Sequence, residues 1–129
     1  MSPRDVVLAW HDALNAGDVA RLAALSADDV EVGGPRGAGR GVDLLSDWVA
    51  RAGIQLVASQ LMDAGSTVVV EQRARWRGPD GALTEPQVVA SVFHVSAEGR
   101  VSSVLRYRDL AEALAAAGLA ESGTDPRRD

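Results

Sequence analysis

The stretch from Ala13 to Pro35, ALNAGDVARLAALSADDVEVGGP, constrains this chain most, because a helix stop, a second short helix, an acidic turn and a strand follow one another without spacers. Asn15, Ala16 and Gly17 end one helix on a residue that tolerates positive φ, and Asp18 can then accept from the open amides of the next. Ser26 and Asp29 read as a second small capping box ahead of Val30 and Val32. Such an order specifies an architecture and is silent on chemistry.

The flanking sequence extends the pattern. Ser2, Pro3 and Asp5 supply an N-cap, a first-turn proline and an acidic third position, so a helix is predicted from Pro3 to Asn15 with Val6, Val7, Trp10, Ala13 and Leu14 inward. A second helix is predicted over Val19 to Leu25 and a half-buried strand over Val30 to Gly33. Gly33, Gly34, Gly37, Gly39 and Gly41 surround Pro35, Arg36 and Arg40, which predicts an irregular loop. Asp43 is then expected to cap a third helix that places Leu44, Leu45, Trp48, Val49 and Ala52 on one face and stops at Gly53. Beyond it the period becomes two. Four strands are predicted, Ile54 to Asp63, Thr67 to Arg77, Thr84 to Val95 and Arg100 to Arg108, as an antiparallel meander in which Pro86 sits at a strand start, edge or bulge. Asp109 and Glu112 cap a last helix that Gly118 ends.

Helices followed by long twisted strands imply an α+β domain over residues 1 to 119, a cone-shaped curved antiparallel sheet wrapped around the N-terminal helices, with 120 to 129 as a flexible tail. At 129 residues and 47% hydrophobic, the chain suits a single domain that buries about two thirds of its unfolded surface. No apolar run approaches the length that spans a bilayer, and no signal peptide precedes the first helix, so a cytoplasmic protein without membrane partners is expected.

Composition removes several chemistries. The absence of cysteine excludes disulfides, thiolate nucleophiles and sulfur-based zinc sites. All thirteen basic residues are arginine, which excludes lysine Schiff bases and leaves planar groups suited to carboxylates or phosphates. With two histidines in different elements and a formal charge of −5, neither a metal site, a cofactor nor a nucleic-acid partner is expected. The run Arg73, Arg75, Trp76, Arg77 reads as a solvated or pairing face beside Glu71 and Glu85.

The element order, carried by ALNAGD, SADDVEV and RYRDLAEALAAAGL, resembles the nuclear-transport-factor-two-like superfamily, and its SnoaL-like branch most closely. The resemblance implies a SnoaL-like or cystatin-like α+β barrel with chemistry in the cone, and a homodimer formed through the convex sheet. An apolar convex face of Val88, Ala90, Val92, Val101, Ser103, Leu105 and Tyr107 suits a partner subunit as cover. Relatives include polyketide cyclases, ketosteroid isomerases, epoxide hydrolases and members that only bind. The isomerases' tyrosine, basic aspartate and late acid fall on Trp10, Gly34 and Ser91, and the hydrolases' arginine and two aspartates fall on Gln72, Ala74 and Arg106. Neither catalytic set is matched.

The same registration aims Val68, Val70, Gln72, Ala74 and Trp76, then Gln87, Val89, Ser91 and Phe93, then Val104, Arg106 and Arg108 at the concave side. Expected ligand contacts are therefore Trp10, Gln72, Trp76, Gln87, Ser91, Phe93, Arg106 and Arg108. Burying an arginine without a counter-charge costs several kcal/mol, so Arg106 should meet a ligand anion, water, or an acid such as Asp12 or Asp47. His94 belongs on the convex face. Three readings stay open. The first is a pocket for a small, largely apolar molecule with an anionic or carbonyl group. The second is an isomerase, polyketide cyclase or hydrolase in which His11 or Asp47 supplies the base. The third is a non-catalytic dimeric interaction module with a filled cone.

Overall fold

Ser2 accepts from the Asp5 amide at 3.1 Å while the Asp5 carboxylate accepts from Ser2 N at 3.3 Å, and this reciprocal cap starts α1, Pro3–Ala16. Gly17, at φ 70°, ends it and Asp18 caps α2, Val19–Ala24. The computed structural model describes residues 2–34 and 37–119, without the side chains of residues 51 and 52. The tail expected over 120 to 129 lies outside the described residues.

From α2 the chain enters β1, Ser26–Gly34, followed by β2, Gly37–Arg40, and α3, Val42–Ala52. Then come β3, Gln55–Ala64; β4, Thr67–Arg75; β5, Gln87–Val95; β6, Val101–Tyr107; and α4, Leu110–Ala117, capped by Asp109 and ended by Gly118 at φ 75°. Pro86, which lacks a ladder amide, immediately precedes β5.

Four sequence expectations are corrected here. The glycine-rich segment is not an irregular loop, because Gly37–Arg40 pairs antiparallel with β1 from Gly34↔Gly37 to Glu31↔Arg40. Glycine is required at 33, where an added Cβ would lie 2.6 Å from the Ala38 Cβ. Asp43 sits in the first turn of α3, whose N-cap is Gly41 with no side-chain cap. Ser26 is no capping residue: its hydroxyl donates to Leu22 O at 2.8 Å and accepts from Trp10 Nε1 at 3.2 Å, inside β1. Strands β3 to β6 form the expected antiparallel meander, but β1 joins β6 in parallel, so the sheet is mixed.

The sheet order is β2-β1-β6-β5-β4-β3, an open and not a closed surface. Its concave side holds the main core, including Val6, Val7, Trp10, Leu14, Leu22, Leu45, Val68, Val70 and Phe93. Asn15 fixes α1 to the edge strand: its Nδ2 donates to Leu56 O and its Oδ1 accepts from Leu56 N, both at 2.8 Å. On the convex side α4 lays Ala113 and Leu114 on Val69, Ala90 and Val92, with Tyr107 beside them. Part of the face for which a partner subunit is the sequence-based cover is thus covered by the chain's own helix. Val101 belongs to the concave core, because the pairing slips between His94 and Val95. His94, expected on the convex face, is exposed, with Nδ1 3.2 Å from Thr67 Oγ1.

Candidate ligand-binding cavity

The helices do not fill the cone. A cavity of about 590 Å³ remains at the end marked by Trp76, just past β4, Ser91 of β5 and Arg106 of β6. This is within the size range of small-molecule sites. Trp10 forms its floor, Ile54 and Leu56 one wall, Leu44 and Trp48 of α3 another, and Val32, Gly33, Gly34 and Gly37 of the β1–β2 ribbon a third. Leu44, 41% exposed, marks the rim.

Gly34 lies alongside Arg106. A Cβ at Gly34 would stand 3.7 Å from both Nε and Nη2 of that guanidinium, so any side chain there would begin in contact with it. The Arg106 guanidinium carbon lies 5.7 Å from the Trp76 ring centroid, within cation–π range. Among the described residues, ion pairs join Arg4 to Asp63 and Arg108 to Glu112, and no carboxylate pairs with Arg106.

A buried polar chain runs beneath the floor. His11 Nδ1 lies 2.7 Å from Val7 O, His11 Nε2 lies 2.8 Å from Gln72 Nε2, and Gln72 Oε1 accepts from Ser91 Oγ at 2.8 Å. His11, Gln72 and Ser91 are all buried. Burial is the dominant influence on His11 and pushes its pKa below the ordinary 6.5, against the opposing pull of the Val7 carbonyl and the Asp12 charge. The ring is therefore neutral at neutral pH. Trp10 and Phe93 enclose it, with ring centroids 5.6 and 5.3 Å from that of His11.

Of the residues expected to meet a ligand, Trp10, Trp76, Ser91 and Arg106 line the cavity. Gln72 and Phe93 are fully buried behind the lining. Gln87 and Arg108 do not line it. Gln87, first residue of β5, is exposed. Arg108 lies past the end of β6 and its Nη2 pairs with Glu112 at 3.1 Å. Of the candidate bases, His11 has both nitrogens engaged below the floor, and Asp47 lies on the exposed side of α3. The lining glycines and α3 residues escape sequence reasoning, since glycine reads as loop and Leu44 and Trp48 read as core. Their signal was the Gly-Gly pair directly after an alternating strand. Among the described residues no three His, Asp or Glu side chains come together to hold a metal ion.

A mixed, curved sheet with a half-filled cone defines the class, and the sequence agrees with it. The SnoaL-like domain profile matches residues 7–104, and the chain belongs to this family within the NTF2-like fold. No curated protein matches the sequence significantly.

Solved structures share the fold. The epoxide hydrolase/cyclase-like enzyme SalBIII, with a role in pyran ring formation in polyether salinomycin, superposes with a TM-score of 0.73 at 16% identity over 81% of this chain and 88% of its own. TerC, co-crystallised with polyporic acid, gives 0.72 at 16% identity over 83% and 91%. An uncharacterised cystatin-fold protein from Novosphingobium aromaticivorans gives 0.68 at 26% identity over 82% and 97%. No described helix is long and apolar enough to cross a membrane.

Proposed function

We propose that the cavity binds a small, largely apolar molecule carrying an anionic or carbonyl group, with Arg106 as its polar anchor. The observation that carries this reading is a guanidinium in the wall of a mostly apolar cavity, stacked on Trp76 and without a carboxylate partner among the described residues. Arg106 is half-buried, and a ligand anion there can form charge-assisted hydrogen bonds stronger than neutral ones. TerC, of the same fold, was co-crystallised with polyporic acid, which supports a small-molecule reading.

Likeness to SalBIII favours a second reading, in which the bound molecule is isomerised, cyclised or hydrolysed. It ranks second because neither candidate base lines the cavity: His11 is engaged beneath the floor and Asp47 faces outward. The interaction-module reading asks for a filled cone, and the wide end is not filled. We also infer a homodimer that uses the part of the convex face α4 leaves open, where Val88 is 55% exposed.

Native mass spectrometry followed by thermal shift with neutral and anionic apolar compounds tests these readings. A dimer is expected, stabilised by anions by about 2.7 kcal/mol at a hundredfold excess over Kd. Arg106→Leu should weaken anion binding by about 10- to 100-fold, the loss of one charge-assisted hydrogen bond or a bidentate pair. Saturable anion binding indifferent to Arg106→Leu would remove the proposed anchor.

A further inference from the structure

The buried chain from Val7 to Ser91 has a direction. A carbonyl oxygen can only accept, so the 2.7 Å contact with Val7 O puts the proton of neutral His11 on Nδ1. Nε2 is then an acceptor, and Gln72 must present its NH2 to it. Reversing the amide would set an oxygen lone pair against the bare ring nitrogen, so the carboxamide orientation is fixed as well. Gln72 Oε1 therefore faces Ser91 and takes its only hydroxyl proton.

Ser91 has nothing left to donate. Its side chain is on the concave face and lines the cavity, and no second hydrogen bond to Oγ occurs among the described residues. Its remaining lone pairs are available only to a donor. Directly across the ladder, Ser91 and Arg106 are register partners, which places their side chains on the same face with Cβ atoms about 5 Å apart. Arginine is the opposite case, with donors and no acceptor. The two side chains in the cavity wall thus make complementary demands from paired positions on neighbouring strands.

We propose that Ser91 is a specificity residue that selects ligands bearing a hydroxyl next to the carboxylate or carbonyl held by Arg106, the hydroxyl donating to Ser91 Oγ. This deepens the anion-pocket reading and rests on it. Hydroxy acids and enolised dicarbonyls on an apolar frame satisfy both groups. A methyl ether satisfies Arg106 alone and leaves Ser91 Oγ facing a group that cannot donate. Gln72 and His11 act through Ser91, as positioning residues that hold its proton away from the cavity.

The test is calorimetric titration of the full chain with naphthoate, a series of hydroxynaphthoates differing in hydroxyl position, and the methyl ether of each. At least one hydroxynaphthoate is expected to bind about tenfold tighter than both its ether and the parent naphthoate, the effect of one hydrogen bond to an otherwise unpaired acceptor. Ser91→Ala should erase that advantage, so that each hydroxynaphthoate binds no tighter than its ether and the parent naphthoate. If naphthoate binds through Arg106 but no hydroxyl position helps, or if the advantage survives in Ser91→Ala, the specificity role is overturned and the anion pocket stands. If no naphthoate binds, both fall. Should Ser91→Ala not fold, the hydroxyl-against-ether comparison on the wild-type chain decides alone.

Discussion

The two ends of the concave face use the same strands to opposite effect. At one end Val68, Phe93, Val95 and Val101 close against Val6 and Val7, all less than a tenth exposed. At the other, Trp76 just past β4, Ser91 of β5 and Arg106 of β6 border open space shared with Gly33, Gly34 and Gly37 of the β1–β2 ribbon. The cavity is thus bordered by glycine backbone on the ribbon side and by side chains on the meander side. The His11–Gln72–Ser91 chain lies at the boundary, with its polar atoms satisfied from the filled side.

Three changes sharpen that contrast. The largest effect is expected from Phe93→Ala at the filled end, where deleting a fully buried ring that packs edge-on to Trp10 at 5.1 Å should cost about 3–5 kcal/mol, read from denaturant unfolding. Intermediate is the response to acid. Since burial holds the pKa of His11 below 6.5, the unfolded chain takes up a proton that the folded chain refuses as pH falls through 6.5. Stability from this group is intact above that value, declines below it, and levels off beneath the folded pKa. Melting temperatures from about pH 8 to about pH 5 should show a decline that is smaller in His11→Gln. Smallest is Leu44→Ala at the open end. This half-exposed rim residue should cost about 1 kcal/mol or less while altering ligand affinity, and an effect as large as that of Phe93→Ala would mean the cavity collapses on truncation.

How legible the molecule is follows from the range of the interactions involved. The caps at Ser2, Asp18 and Asp109 and the glycine stops at 17, 53 and 118 are local, spanning a few residues, and the structure has each where the sequence implies it. The parallel pairing of β1 with β6 joins segments some seventy residues apart and leaves no trace in either period. Glycine propensity alone argues for a loop at Gly37–Arg40, and only the close approach of Gly33 to Ala38 explains why glycine serves a strand there. Ser26 shows the same limit, since a serine ahead of acidic residues reads as a cap while its hydroxyl bridges Trp10 and Leu22. In the cavity, alternation correctly assigned Ser91 and Arg106 to one face, but carried Arg108 past the strand's end, where Glu112 of the next helix holds it. The direction of the His11 chain was invisible, because it depends on a backbone carbonyl within the same helix.

Asn15 has a consequence of another kind. The sheet is open and β3 is one of its two outer strands, so the amide and carbonyl of Leu56 would otherwise offer a free hydrogen-bonding rung beside the exposed Val57. A carboxamide imitates a peptide group with both donor and acceptor, and Asn15 occupies that rung completely. The residue that reads in the sequence as a helix terminator thus also closes one rung of the sheet's margin to any incoming strand.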